Sequence, residues 1–283
     1  MAQVALKQTA ATTDTPPLDE RSLMLRRMVI DALAGGGRGH VGSSMSPLEV
    51  IRVLYDDVLR YRANEPKWME RDRFILSKGH GCLAQYVLLA DKGFFPKDEL
   101  KKFCTHDSFL GGHPEAGKIP GVEVSTGALG HGLSVGVGIA LAARIAKRDS
   151  RVFVVMGDGE ITEGSVWEAA MCAGKHNLDN LIAIIDYNKL LTYGLIADVQ
   201  PLEPLVDKWQ AFGFHTLEVD GHDVAALQNL FKSLPRVAGK PTAIIAHTVK
   251  GKGIPFAEGV PNWHHKSNLP PDQIAALYAA LEG

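Results

Sequence analysis

The hydrophobic pattern of the chain predicts strands that alternate with helices. Two apolar runs, at residues 152–156 and 181–185, are continuous and rich in β-branched side chains. Such runs are typical of parallel strands that are covered on both faces. Shorter runs at residues 74–76, 214–219 and 242–248 predict three further strands. Apolar strands in alternation with helices indicate a parallel sheet.

Helical patterns fill most of the intervals between these strands. The first helix is expected to begin near Asp19 and to end at the glycine run 35–37, because no helix continues through such a run. A second helix is expected over residues 46–61, with Ser46 as its cap and Pro47 in its first position. Further helices are expected at residues 81–92, 132–146, 163–176, 224–234 and 271–281, and loops at residues 105–126 and 254–268. We therefore predict an α/β fold, a single doubly wound parallel sheet flanked by helices.

Composition narrows the class of protein. Of the 283 residues, 46% are hydrophobic and 22% charged, and the formal net charge is −2. The chain thus lacks the basic excess that nucleic acid or an anionic membrane surface would require. Three scattered cysteines, no long apolar stretch and no secretory signal indicate a cytoplasmic protein. Because no repeat or linker divides the chain, we expect one domain over residues 18–283 after a flexible tail, residues 1–17.

Two polar side chains follow the central pair of strands. Asp158 lies between two glycines directly after the first strand, and Asn188 follows the second. Both are expected at the carboxyl ends of neighbouring strands, where open α/β sheets bind ligands. Their oxygens suit Mg²⁺, which usually keeps water and substrate phosphate among its ligands. However, a lone Gly-Asp-Gly is also a common strand-to-turn sequence, and Asn188 equally suits an ordinary turn, so these two residues alone leave the metal site open.

Histidines beside glycines form a second candidate site. Four of the eleven histidines are flanked by glycine in predicted loops, and two adjacent ones lie near the carboxyl end: His40, His80, His113, His131, His264 and His265. Any one of them is as readily structural, but ordering several such loops is costly unless they line a site. No pair has the spacing of a zinc site. The set therefore favours hydrogen bonds to anionic and hydroxylated ligands, with proton transfer at neutral pH.

From about residue 21 to residue 265, the chain resembles the amino-terminal, diphosphate-binding half of transketolase. Asp158, Glu163 and Asn188 match the thiamine-diphosphate motif of that family. The matching segments, in order, are residues 39–43, 76–80, 112–115, 125–130, 157–164, 186–188 and 248–253, followed by Trp263 and His264. This resemblance implies the thiamine-diphosphate-binding fold of the diphosphate type, with thiamine diphosphate and Mg²⁺ as cofactors.

The resemblance also implies a role for each matched residue. The expected Mg²⁺ ligands are Asp158, Asn188 and the carbonyl of Leu190. The residues expected along the cofactor are Ser43, His80, Gly159 and Lys250 at its diphosphate, and Gly127, Ala128 and Leu129 at its middle. The residues expected to hydrogen-bond sugar hydroxyls and shuttle protons are His40, His113 and His264. Glu163 is expected to reach a dimer interface and support the partner's catalytic carboxylate, and His131 stands where the family often has glutamine.

A full transketolase continues into domains that hold the aminopyrimidine, activate the cofactor and bind sugar phosphate. Because the sequence ends at Gly283, we expect a second polypeptide to carry the pyrimidine-binding and carboxy-terminal domains. The expected assembly is an α₂β₂ tetramer in which this chain forms a homodimer, and the chain alone is expected to be inactive. The helix over residues 163–176 is expected at the interface, since Trp167 falls outside its buried stripe. The sugar or sugar-phosphate substrates stay open, because the phosphate-end residues are expected in the partner.

Other functions compete with a split transketolase. The four sugar-facing histidines argue against a 2-oxo acid dehydrogenase component, and the short span from Gly130 to Arg151 argues against a deoxyxylulose-phosphate synthase. A non-catalytic diphosphate-binding scaffold would not need the intact Asp158, Asn188 and histidine set. A nicotinamide-binding enzyme would need a Gly-x-Gly-x-x-Gly after its first strand, which is absent.

Overall fold

Five parallel strands form one sheet in the computed structural model, which describes residues 16–234 and 237–282. The strands are β1 (Arg73–Leu76), β2 (Val152–Gly157), β3 (Leu181–Tyr187), β4 (His215–Asp220) and β5 (Thr242–His247). Their order in the sheet is β1-β2-β3-β5-β4, and every neighbouring pair is parallel. The predicted α/β class with a parallel sheet is therefore confirmed.

Alternate residues of each strand enter two separate apolar layers. On β2, Phe153 and Val155 belong to one layer, whereas Val152 and Val154 belong to the other. Side chains alternate across a strand, so a sheet covered on both faces buries all of them. This is why the strand sequences are continuously apolar, and it makes the sheet doubly wound.

Ten α-helices surround the sheet within the described ranges. They are α1 (Glu20–Gly36), α2 (Val41–Met45), α3 (Leu48–Val53), α4 (Cys82–Asp91), α5 (Gly132–Ile145), α6 (Gly164–Lys175), α7 (Ile196–Val199), α8 (Leu205–Ala211), α9 (Val224–Lys232) and α10 (Pro271–Ala279). None of them has both the length and the apolar character that crossing a membrane requires. Most of the predicted tail, residues 1–15, lies outside the described residues, and residues 16–19 precede α1 without regular structure.

Helix α1 begins and ends at the residues that its sequence favours. The side chain of Asp19 accepts a hydrogen bond from the Ser22 amide at 2.8 Å, which caps the amino terminus. Gly37 follows the helix with φ of 63°, and its amide donates to the carbonyl of Leu33 at 2.8 Å. This left-handed closing residue is where glycine costs least.

The predicted helix over residues 46–61 is wrong at its start. The helical segment begins at Val41, breaks after Met45, resumes at Leu48 and ends in a π-helical turn, Leu54–Val58. Ser46 caps nothing, because its hydroxyl donates to Asp186 Oδ2 at 2.6 Å. A partner 140 residues away along the chain thus replaces the local capping bond.

The expectation for Trp167 is also wrong. Its ring packs within the chain, with ring centroids 5.2 Å from Trp209 and 5.4 Å from Phe212. Both partners belong to the segment of α8 and the residue that follows it, which the sequence pattern did not predict as a helix. On the same helix as Trp167, however, the side chain of Met171 is 52% exposed.

Candidate active site

The carboxyl ends of the strands surround an open cleft of about 320 Å³. Most of the residues singled out from the sequence line it: His40, Ser43, His80, His113, Gly127, Leu129, Asp158, Gly159, Asn188, Leu190, Lys250 and His264. Ala128 and Glu163 lie outside this lining and are exposed. The structure thus brings together residues from six separate segments of the chain.

Asp158 lies at the end of β2 at the floor of the cleft. Its side chain is almost fully buried, and its two oxygens accept hydrogen bonds from the amides of Gly159, at 2.8 Å, and Lys189. Burial raises the pKa of Asp158, and the nearby Asp186 carboxylate raises it further. A carboxylate in this position gains from a cation beside it, since opposite charge offsets the cost of burial.

Asn188 and Leu190 present two more oxygens at the same corner. The side-chain oxygen of Asn188 accepts from the Leu190 amide at 3.1 Å, and Lys189 between them has φ of 64°. The left-handed turn brings both residues to the cleft. With the Asp158 carboxylate, they form a set of hard oxygen donors that fits Mg²⁺. No cluster of three or more His, Cys, Asp or Glu side chains suited to a metal occurs within residues 16–234 and 237–282.

Lys250 brings positive charge to this corner. Its Nζ donates to the Leu190 carbonyl at 2.6 Å, and the residue is almost fully buried. Burial lowers the pKa of Lys250, and the charge of Lys78 lowers it further. Two buried ammonium groups beside one cleft suit a highly charged anion such as a diphosphate, which would relieve their mutual repulsion.

A buried network fixes the loop that carries Lys250. Arg26 and Glu49 form an ion pair with no exposed side-chain surface, with Nη2 and Oε2 3.1 Å apart. His222 Nδ1 lies 2.8 Å from Glu49 Oε2, and the amide of Val249 donates to His222 Nε2 at 2.8 Å. His222 therefore carries its proton on Nδ1 and links the ion pair to the loop.

Sequence reasoning missed the buried pair of Lys78 and Asp186. Both side chains are about 1% exposed, and the ammonium donates directly to the carboxylate. Asp186 also accepts from the hydroxyls of Ser46 and Thr248. Burial alone would raise the pKa of Asp186, but the Lys78 charge and these hydrogen bonds outweigh it and lower the pKa. The available signal was a charged residue inside an otherwise apolar strand.

Glu160 was missed for the same reason. It is 2% exposed, and its carboxylate accepts from the amides of Gly130 and Gly157, each at 3.0 Å, and from the Ser77 hydroxyl. Burial raises its pKa. This one side chain ties together the ends of β1 and β2 and the loop before α5.

Histidine rings form the opposite side of the cleft. The ring centroid of His40 lies 5.3 Å from that of His80, 5.4 Å from that of His264 and 6.3 Å from that of His113. Burial, together with the neighbouring histidines and lysines, lowers the pKa values of His40 and His264 to about 3. The same causes hold the pKa of His80 well below its usual value. These rings are therefore neutral at neutral pH, and each offers one donor and one acceptor nitrogen.

Two further contacts position this side of the cleft. His264 Nδ1 lies 3.2 Å from the Ser43 hydroxyl, so these two predicted residues form one pair. Gly127 has φ of 135°, and a Cβ there would lie 3.0 Å from the ring of His113. A side chain at this position would therefore be strained and would displace the ring. His131, in contrast, is exposed, with its Nδ1 3.0 Å from the Leu129 carbonyl.

The sequence and the fold both have known counterparts. Residues 20–282 match the family model described as transketolase, thiamine diphosphate binding domain. One of the two subunits of an apulose-4-phosphate transketolase from Phocaeicola vulgatus is 44% identical over 248 residues, which cover 88% of each chain. A 6-deoxy-6-sulfo-D-fructose transketolase subunit, SqwG, from a Clostridium species is 40% identical over 94% of this chain and 96% of its own.

Full-length relatives are matched over part of their length. A transketolase from Mus musculus is 40% identical over 94% of this chain but only 42% of its own. The solved structure of transketolase from Leishmania mexicana superposes with a TM-score of 0.87 at 34% identity, over 95% of this chain and 42% of that one. This chain is therefore similar to whole subunits of one kind of relative and to less than half of the other kind.

Proposed function

This chain belongs to the transketolase family, and we propose that it is the amino-terminal subunit of a two-polypeptide transketolase. Together with a partner, it would transfer a two-carbon ketol unit from a ketose or ketose phosphate to an aldose acceptor, with thiamine diphosphate and Mg²⁺. The observation that carries this proposal is a single cleft in which an oxygen-rich, cationic corner faces a group of neutral histidines. The first suits a metal diphosphate, and the second suits the hydroxyls of a sugar.

The corner would hold the metal and the diphosphate. We assign Mg²⁺ to Asp158, Asn188 and the carbonyl of Leu190, whose oxygens line the cleft together. The residues assigned to the diphosphate are Ser43, His80, Gly159 and Lys250, with Gly127 to Leu129 along the middle of the cofactor. When bound, thiamine diphosphate supplies the carbanion chemistry that ketol transfer needs. The chain itself positions the diphosphate and keeps the corner dry, since nearly all its charged groups are buried.

The histidines would act on the sugar. Because His40 and His264 are neutral at neutral pH, each can donate a hydrogen bond to one hydroxyl oxygen and accept one from another. Such a ring can also pass a proton between its two nitrogens and the sugar oxygens that touch them. His113 completes this set across the ring of His40. The arrangement holds a polyhydroxylated chain without placing net charge beside the cofactor.

We further propose that a partner polypeptide completes the site. Relatives of the same length are named as transketolase subunits, and the partner would carry the pyrimidine-binding and carboxy-terminal domains in an α₂β₂ assembly. Two helices of this chain offer apolar side chains to a second copy: Ile145 of α5 is 82% exposed and Met171 of α6 is 52% exposed. Glu163, exposed at the start of α6, would lie at that interface and support the partner's catalytic carboxylate. Such a cytoplasmic complex would need no nucleic acid or membrane.

The decisive experiment is reconstitution. The purified chain is assayed for ketol transfer with thiamine diphosphate and Mg²⁺, alone and mixed with a polypeptide that carries the other two domains. We expect turnover only in the mixture, because the groups that hold and activate the aminopyrimidine are missing from this chain. Turnover by the chain alone would contradict the division of the site. In the mixture, Asp207→Ala serves as a control for Asp158→Ala, because Asp207 is exposed on α8.

A further inference from the structure

A second cavity adjoins the cleft on its histidine side. Its volume is about 470 Å³, and it shares His40 and His113 with the cleft. Because these two rings border both spaces, one ligand can extend from the cleft into the second cavity. A sugar whose reacting end lies at the cofactor would therefore direct its other end here.

Basic side chains line this second cavity. Its titratable lining residues, apart from the two shared histidines, are Arg38, Cys104, His106, Lys118 and His265, and no carboxylate is among the described residues that line it. Lys118 is partly neutralised by Glu115, with Nζ and Oε1 3.2 Å apart. Arg38 is exposed and takes part in no ion pair within residues 16–234 and 237–282. The cavity thus has one cation whose charge is not already paired.

The backbone fixes the positions of Arg38 and His265. Gly39 and Lys266 form an antiparallel bridge, in which each amide donates to the other carbonyl at 2.9 Å. This pairing places His265 across from His40, and their ring centroids are 4.4 Å apart. Burial lowers the pKa of His265, and the charge of Arg38 lowers it further. Arg38 and His265 therefore border one space on neighbouring, paired segments.

We propose that Arg38 and His265 form a subsite for a tetrahedral oxyanion, such as a phosphate, at the far end of the sugar substrate. This inference rests on the function proposed above and names the substrate class for the same site. A guanidinium donates two parallel hydrogen bonds to such a group, and a neutral imidazole adds a third donor. The chain would then supply part of the phosphate recognition that its sequence led us to expect in the partner alone.

The first test compares acceptors in the reconstituted complex. The kcat/KM is measured for an aldose phosphate, the corresponding aldose sulfonate and the free aldose. With Arg38→Gln, we expect kcat/KM to fall about tenfold or more for the two anions and to stay within about twofold for the free aldose. Arg38→Lys should recover part of the loss. Arg62→Gln, which alters an exposed arginine paired with Glu65 outside both cavities, should change nothing.

These outcomes separate the two proposals. A loss with phosphate alone would assign the subsite to phosphate, and an equal loss with sulfonate would assign it to oxyanions in general. An Arg38→Gln complex that keeps its full preference for the anionic acceptors would overturn the subsite but leave the transketolase function standing. Absence of ketol transfer from every acceptor in the unmodified complex would instead contradict the proposed function.

A second test needs no turnover, so it decides the subsite in either case. Inorganic phosphate is titrated into the chain while the ring signals of His265 are followed by NMR. The signals should shift in the unmodified chain and in Lys250→Gln, which alters only the diphosphate corner, and should stay in place in Arg38→Gln. A shift that survives in Arg38→Gln and disappears in Lys250→Gln would mean that phosphate binds at the corner and that the second cavity has no anion site.

Discussion

The two sides of the cleft hold their side chains by different means. On the charged side, Asp158 is fixed by two amides, and Asp186 by one ammonium and two hydroxyls. On the histidine side, within residues 16–234 and 237–282, no protein group hydrogen-bonds the rings of His40, His80 or His113. These rings instead contact one another at centroid distances of 5.3 to 6.3 Å.

This difference indicates a division of labour. Buried charges are costly unless paired, so the charged side is built as a network in which few groups can move. Neutral rings cost less to bury, and nitrogens without protein partners remain available to a ligand. We therefore interpret the charged side as the part that holds the cofactor and the histidine side as the part that acts on the sugar. Substitutions on the two sides should consequently affect different measurements.

The largest effect is expected from Asp158→Ala. The carboxylate would be a direct metal ligand, and the neighbouring groups include no second free carboxylate that could replace it, since Asp186 is occupied by Lys78. Mg²⁺-dependent binding of thiamine diphosphate should weaken by more than about a hundredfold, whereas thermal unfolding should change little. Titration calorimetry of the reconstituted complex measures the affinity.

The control for this prediction lies across the cleft. His113→Ala removes a ring on the histidine side and should leave the cofactor affinity within a few-fold of the original value. Unchanged affinity in Asp158→Ala would show that the metal assignment is wrong. A comparable loss in both variants would show that the cleft does not divide into the two sides described here.

A smaller effect is expected from the histidines that we assign to the sugar. His40→Ala and His264→Ala should lower kcat by on the order of 2–4 kcal/mol in the barrier, with cofactor affinity nearly kept, because each removes hydrogen bonds to sugar oxygens. His80→Ala should mainly weaken cofactor binding. Steady-state kinetics and calorimetry on the same preparations separate the two quantities.

Equal loss of cofactor affinity in all of these variants would contradict this partition. His264 is the most demanding case, because its ring also lies 3.2 Å from the hydroxyl of Ser43, which we place at the diphosphate. Ser43→Ala is therefore the matched variant. If it reproduces the His264→Ala phenotype, then His264 acts as a positioning residue for the diphosphate side and not on the sugar.

The sheet could be predicted from the sequence because its signals are local. Runs such as residues 152–156 and 181–185 are apolar on both faces of the strand, and the pattern alone identifies them. The break at Ser46 could not be predicted, since the hydroxyl bonds to Asp186 across the fold. Nor could helix α8, whose Trp209 is buried against Trp167 of α6 in the structure. A short helix of this kind depends on tertiary packing more than on its own sequence.

The candidate site divides in the same way. Residues that lie directly after strands or beside glycines, such as Asp158 and His80, could be found from sequence position and from the resemblance to transketolase. Lys78 and Glu160, which hold the loops of the site, could not be found. Their function depends on partners from other loops, such as Gly130 for Glu160, and linear spacing does not record such contacts.

The smallest effect concerns pH and compares the two sides in one experiment. Burial and the surrounding groups lower the pKa of His40 from 6.5 to about 3 in the folded chain. The unfolded chain therefore binds a proton near pH 6.5, whereas the folded chain does not until the pH is far lower. The contribution of His40 to the free energy of unfolding is thus complete above pH 6.5 and declines as the pH falls toward 3. Asp186, whose pKa is lowered from 3.8, keeps its charge and should contribute nothing between pH 8 and pH 5.

Urea unfolding of the chain at pH 8, 6.5 and 5 tests this prediction. The groups that face His40 are His80, His113, His264, His265, Lys78 and Lys250, none of which would stabilise a protonated ring. His40→Gln removes the titrating ring, so its stability should fall less between pH 8 and pH 5 than that of the unmodified chain. His131→Gln is the control, because that ring is exposed. The same pH dependence in His40→Gln, His131→Gln and the unmodified chain would mean that the His40 ring already binds a proton in the folded state. The histidine side would then be a second charged surface, and the contrast between the two sides of the cleft would not hold.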